Sequence, residues 1–430
     1  MHQLDFDLNI DQVSKIEGHA AIDLTVRGGK VKDLKFSITD YKRFYTQAIR
    51  NKAISAIPQH VARICGTCSN AHLLCSIKAI ERALNIKPSP QTMVLRKLVT
   101  YGLMIRDHAL HLYLFALPDV LGKDSIFDFD EKQEKEHTLL HDAFAVKSAG
   151  NTLSIWAGGR SVHAPYPIVG GFLRTPSVDG KQAVYDKLID ARNRVMRLVE
   201  VFLSCDFTQE GEFVYAALDS PDYSFLEGDI VQSDGQRIPQ ESFGNHLVHT
   251  IIPYSQASAY TFDGKPMLVG ALARLNLFGD RLHKKTKKNV SSALTLFPSK
   301  NIFHNNLAQA IEIIHCIDAA LEILEHAEFV PETPQAITPK DSQGAVAIEA
   351  PRGTLFYKLK TSSNGKVTWG QIVVPTGQNH IAIERSIGEY VSDKLDKPKD
   401  ALALEMEKVV RAFDPCMSCA THFLKVRWKE

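Results

Sequence analysis

From Ala20 to Thr39 apolar and polar residues alternate on either side of Arg27-Gly28-Gly29-Lys30, which predicts two strands joined by a hairpin turn. Downstream the period changes. Apolar residues recur at helical spacing from about Ala71 to Leu84, Gln91 to Leu117, Gln182 to Leu203 and Asn305 to Glu325, so most of the body is expected to be helical. Ser154 to Phe172 is rich in glycine and proline yet apolar and aromatic, the profile of an ordered, buried loop. Ala345 to Thr376 returns to strand-like runs around the turn Ser363-Asn364-Gly365-Lys366, and a helix from about Ala401 to Phe413 follows. The predicted class is mainly α with small β-sheets, an α+β chain without internal repeats or low-complexity tracts.

Charge adds little to this picture. Lys plus Arg total 50 against 49 for Asp plus Glu, so no overall field favours nucleic acid or an anionic membrane. No stretch reaches the roughly 18 apolar residues of a spanning helix. The longest candidate, Leu110 to Leu121, is broken by His111, Pro118 and Asp119. The start, MHQLDFDLNIDQ, lacks the basic and apolar regions of a secretory signal, and the expectation is a cytoplasmic protein that meets membranes only through partners. The basic run Arg281, His283, Lys284, Lys285, Lys287 and Lys288 reads first as a solvated helix face and second as a docking patch for an acidic subunit.

The cysteines change the picture. There are seven, and four form two C-x-x-C pairs, Cys65 with Cys68 and Cys416 with Cys419. Cys75, Cys205 and Cys316 are scattered and read as buried small hydrophobes. Four soft thiolates suit zinc, an iron-sulfur cluster or nickel, and spacing alone favours structural zinc. Yet nearly the whole chain lies between the pairs, whereas a zinc module gathers its ligands within a short segment. Closing so long a loop costs entropy, which points to a chemical centre rather than a staple. The histidine pairs His108/His111 and His137/His141 have helical spacing but not the H-E-x-x-H order of zinc proteases, and read as packing or surface residues.

The first pair stands in Arg63-Ile64-Cys65-Gly66-Thr67-Cys68 with His72 beyond, and the second in Asp414-Pro415-Cys416-Met417-Ser418-Cys419 with His422 beyond. Together these resemble the signature of nickel-iron hydrogenase large subunits. Lys15-Ile16-Glu17-Gly18-His19, His108-Ala109-Leu110-His111-Leu112-Tyr113 with Asp119, Gly158-Gly159-Arg160 through Gly171, Pro266 to Gly270, Ala350-Pro351-Arg352-Gly353 and Pro375-Thr376 with Asn379 fall in the family's order, so the resemblance spans nearly the whole chain. It looks most like the soluble, cytoplasmic, multi-subunit type that includes sulfhydrogenases. The implied fold is one intertwined catalytic unit over residues 1–430, a long helical bundle with the metal where the two chain ends meet.

The resemblance also implies roles. All four cysteines would bind nickel, with Cys68 and Cys419 bridging to an iron that carries carbonyl and cyanide, and H2 would be split heterolytically. Glu17 would relay protons from Cys416. Arg352 would lie over the open metal face, its guanidinium held by Asp119 and Asp414, while Thr376 donates to a cyanide and Pro351 and His72 line the cofactor. His422 would help bind magnesium and mark the cut of a maturation protease that removes residues 423–430. This chain departs from the family at Gln47, where a carboxylate is usual; its neutral carbonyl oxygen leaves magnesium, iron and water as candidate occupants.

Electrons would leave through an iron-sulfur small subunit, and then through subunits using NAD(P), flavin or ferredoxin. Two rival readings stand beside the enzyme: a zinc-stapled structural subunit, and a non-catalytic relative such as the quinone-side subunit of complex I, which lacks the cysteine pairs.

Overall fold

The structure is a computed structural model and describes residues 4–421. An antiparallel meander comes first, β1 (Phe6–Ile10), β2 (Ala20–Arg27) and β3 (Lys30–Ile38), with Ile22 opposite both Ile10 and Phe36. Ala20, Ile22, Leu24 and Val26 point inward in strict alternation, which is why this strand is half-buried rather than a helix.

The body is helical. Its long elements are α1 (Ser69–Leu84), α2 (Pro90–Ala109), α3 (Glu134–Gly158), α4 (Lys181–Leu203), α5 (Ala271–Phe278) and α6 (His304–His326). Ser89 starts α2 by accepting from Thr92 N at 3.0 Å, with Pro90 at the first helical position. The helix runs on through a π-turn, Leu110–Ala116, into Leu117–Val120. α2 and α3 touch backbone to backbone: a Cβ on Gly150 would stand 2.6 Å from Arg106 N, and one on Gly102 2.5 Å from Ser154 Oγ. Larger residues would force the pair apart.

The 154–172 segment departs from its expectation in part. α3 continues to Gly158 and stops where Gly159 turns left-handed (φ 87°); the irregular part is shorter and ends in the strand pair Pro167–Ile168 and Gly171–Phe172.

A second meander, β4 (Ser342–Ala350), β5 (Gly353–Thr361) and β6 (Val367–Val373), packs against α1. Both faces of β4 are covered. Val346 and Ile348 join the main core, while Ala345 and Ala347 join a smaller cluster with Phe243, Phe262 and Phe356. The chain closes with α7 (Pro375–Ser392), α8 (Lys399–Ala412) and the single turn Met417–Ala420. The main core runs from Val13 to Ala420, so the two ends are built into one interior.

Candidate metal centre

Backbone contacts join the ends. Glu17 pairs with Cys416 in a short parallel bridge, and Met417 N donates to Glu17 O at 3.0 Å. Gly18 (φ +83°) backs onto this turn, where a Cβ would stand 2.7 Å from Met417 Cβ, so only glycine permits the approach. Arg43 binds from the other side, its N–H donating to Thr421 O at 2.7 Å and its guanidinium to Ser418 O.

Cys68 is the residue that starts α1, and Cys65 stands extended before it. Cys416 and Cys419 flank and enter the final turn. Each C-x-x-C thereby aims two sulfurs the same way. Sγ separations are 3.3 Å for Cys65–Cys416, 3.1 Å for Cys68–Cys419 and 3.0 Å for Cys416–Cys419, and all four residues are buried. Hydrogen bonds from Cys416, Cys419 and Cys68 hold the Cys65 thiol well below the usual thiol range, whereas burial pushes Cys416 and Cys419 well above it. Unaided, the pocket favours one thiolate over four. A multivalent cation reverses that balance, and an all-sulfur donor set suits a thiophilic one.

Glu17 Oε2 accepts from Ser418 N at 3.1 Å and from the Cys416 thiol at 3.0 Å. Burial, reinforced by the negative charge of Cys65, raises its carboxyl above the usual range. Thr376, in the first turn of α7, accepts from Cys416 N at 2.9 Å and keeps its own O–H for donation. His72 on α1 lies 3.5 Å from Cys419 Sγ through Nε2 and 2.8 Å from Tyr357 OH through Nδ1.

Arg352 is buried, with Nη1 donating to Asp107 Oδ2 at 3.0 Å and Nη2 3.0 Å from Asp414 Oδ1. Its Nε has no partner among the described residues and Nη2 meets only Asp414, as an ion pair, which fits a site that receives an acceptor from a bound group. This corrects the expected clamp. Asp119 does not touch Arg352; it pairs with Arg411 at 2.5 Å and with Lys15 at 2.8 Å, tying the segment before Glu17 to α8. Asp107 takes its place, one residue ahead of the motif quoted from His108. Arg106 beside it was also missed, and its guanidinium holds the carbonyls of Thr67 and Ser161 around the first cysteine pair.

The remaining expectations fall away from the sulfurs. Pro351 presents its carbonyl to Arg274 Nη2 at 3.0 Å. Gln47 sits half-buried on the short helix Tyr45–Ala48, while His422 and residues 423–430 lie outside the described residues. His108 and His111 are core residues, 2.8 Å from Glu312 and 2.6 Å from Gln309. Cys75 and Cys316 are buried, Cys205 only half-buried. In the basic run Arg281 pairs with Asp219 and Lys287 donates to the Asp280 carbonyl, leaving Lys284, Lys285 and Lys288 exposed.

Comparison with known proteins assigns the class. The family model described as nickel-dependent hydrogenase matches residues 46–143 and 221–422, and the chain belongs to that family. It is the catalytic large subunit of a nickel-iron hydrogenase, an oxidoreductase acting on H2. Among curated relatives, the alpha subunit of sulfhydrogenase 2 from Pyrococcus furiosus is 31% identical, with 97% of this chain and 100% of that protein covered. The alpha subunit of sulfhydrogenase 1 from the same organism is 29% identical, covering 99% and 100%. An NAD+-reducing [NiFe]-hydrogenase in the H2-reduced state superposes with a TM-score of 0.86 at 24% identity over 97% of this chain and 99% of that one. The Ni-Fe-Se hydrogenase of Desulfovibrio vulgaris Hildenborough gives 0.78 at 21% identity over 97% and 100%. These two likenesses establish the fold, α+β with small sheets. No helix among the described residues is long and apolar enough to cross a membrane.

Proposed function

We propose that Cys65, Cys68, Cys416 and Cys419 hold nickel, that Cys68 and Cys419 are shared with an iron carrying carbonyl and cyanide, and that residues 1–430 act as one catalytic unit. The observation that carries this reading is the convergence of four buried thiols from both chain ends. When bound, such a centre supplies the heterolytic splitting of H2 and takes up its electrons. The protein's own groups handle the rest. Glu17, 3.0 Å from Cys416 Sγ and with a raised carboxyl pKa, takes a proton from that sulfur at Oε2 and passes it outward with little driving force. Arg352, anchored by Asp107 and Asp414, keeps an Nε–H without a partner among the described residues, a donor that would serve to orient H2 and a cyanide. The Thr376 O–H would donate to a second cyanide.

Electrons leave through another chain, because Cys75, Cys205 and Cys316 stand apart and form no relay among the described residues. An iron-sulfur small subunit is the partner this requires. Sulfhydrogenase and NAD+-reducing relatives support further subunits delivering electrons to NAD(P) or a similar acceptor; the complex we propose is cytoplasmic.

Metal analysis with infrared spectroscopy of the matured complex tests the site. Nickel and iron with cyanide and carbonyl stretching bands are expected, together with H2-dependent dye reduction. Zinc alone without those bands would overturn the catalytic reading in favour of a structural staple.

A further inference from the structure

A second group of side chains able to ligate a metal stands exposed at the start of α3. His137 and His141 are four residues apart on this helix, which places both imidazoles on one face one turn apart. Their ring centroids are 4.3 Å apart. Glu131, from the turn that feeds the helix, brings its carboxylate to the same face, and one donor atom from each of the three lies within 4.8 Å of the others. All three side chains are exposed and have no other hydrogen-bond or ion-pair partner among the described residues.

Glu136, next to His137 in sequence, is not part of this group. It turns inward, where Oε2 accepts from Asp130 N at 2.6 Å and meets Lys123 Nζ at 3.2 Å. That inward carboxylate fixes the turn, as do Gln133 N donating to Asp130 O at 2.9 Å and Lys132 N donating to Asp130 Oδ1 at 3.0 Å. Glu131 is therefore carried on a hydrogen-bonded turn rather than on a loose loop, so little ordering is needed to bring it to an ion.

We propose that Glu131, His137 and His141 form a surface site for one divalent first-row transition ion, such as zinc or nickel, with water completing the shell. Two imidazole nitrogens and one carboxylate oxygen suit these ions, whereas calcium and magnesium prefer oxygen alone. Donors on one ion at about 2.1 Å stand roughly 3 to 4 Å apart, a spacing the exposed side chains reach by small rotations. The ion ties the turn at Glu131 to the second turn of α3. In chemistry it is the opposite of the buried centre, nitrogen and oxygen against sulfur, open against enclosed. It exchanges with solvent and with chelators, while the thiolate-bound metal does not.

The test uses the matured complex after brief treatment with EDTA, which leaves the buried centre loaded. Titration with ZnCl2 by calorimetry, and with CoCl2 by visible absorption, is expected to show one ion per chain. The double variant His137→Ala/His141→Ala removes that equivalent while H2-dependent dye reduction stays unchanged, and Glu131→Gln weakens binding at least tenfold. The side chains are exposed and alanine favours helix, so the variants fold. No zinc uptake by the native complex, or uptake that the double variant retains, overturns the site.

Discussion

Two buried arginines lie close in the chain's interior and are treated in opposite ways. Arg274 on α5 spends all five N–H groups: Nε and Nη2 on Glu312 at 2.6 and 2.7 Å, Nη1 on Glu349 and the Ala350 carbonyl, Nη2 also on the Pro351 carbonyl. Its acceptors are equally occupied, since Glu312 also meets His108 and Tyr223, and Glu349 meets Leu218 N and Thr354. Burial pushes the Glu312 carboxyl up, but the charge and hydrogen bonds of Arg274 outweigh this and hold it down at about 2. Arg352 has one hydrogen bond, one ion pair and unspent donors beside four sulfurs. A saturated guanidinium builds structure; an unsaturated one keeps capacity for a ligand. The two are connected, because the carbonyls that Arg274 grips immediately precede Arg352.

The hardest test of that contrast removes one of the four sulfurs. Cys419→Ser replaces a soft thiolate by a poor ligand, and nickel content and H2-dependent dye reduction are expected to fall together, activity by about 10³-fold or more. Retention of both would move the metal elsewhere. Glu17→Gln keeps shape and hydrogen bonding but cannot carry a proton. Turnover should drop roughly 10²-fold or more with nickel retained, and exchange between D2 and water protons should slow in parallel. A variant with normal exchange removes Glu17 from the proton route.

The arginines themselves come next. Arg352→Lys keeps one charge between Asp107 and Asp414 and loses the planar donors, so turnover is expected to fall about 10²-fold with little change in melting temperature. Arg274→Lys should do the reverse at first order, costing about 2 to 4 kcal/mol of stability because a lysine cannot replace the five donors shared among Glu312, Glu349 and the Ala350 and Pro351 carbonyls. Thermal unfolding and turnover measured on both variants separate the cases. Equal loss of stability in the two would erase the distinction drawn between them.

How far each region was legible in the sequence follows the same division. The four cysteines and Glu17 stand in short motifs whose spacing survives folding, and the strands Ala20–Arg27 and Lys30–Ile38 declare themselves by clean alternation. The partner of Arg352 did not, because Asp107 and Asp119 lie on one helical run interrupted by the π-turn Leu110–Ala116. The turn holds more residues than an α-turn and rotates later side chains against earlier ones, so helical spacing does not carry across it. α3 was hidden for another reason. It is wedged between α2 and α4, and its buried residues keep helical spacing from Leu139 through Ala143 and Val146 to Leu153, but Glu136, Asp142 and Ser154 share that stripe while Phe144 and Ile155 lie exposed outside it, so the apolar contrast is weak. α7 opens with buried Thr376, Gln378 and Asn379, polar positions that erase the helical pattern where the site needs them.

Thr376 gives the finest cut. Its Oγ1 accepts from Cys416 N at 2.9 Å, so it shapes the second cysteine turn. Thr376→Val preserves volume but leaves that buried N–H without its acceptor, at a cost of about 1 to 3 kcal/mol. Thr376→Ser restores the hydroxyl and is expected to restore stability. If the threonine acts only on the turn, valine lowers the melting temperature and leaves turnover per bound nickel unchanged. If its O–H also serves a cyanide, valine lowers turnover several-fold and shifts one cyanide stretching band, and serine reverses both.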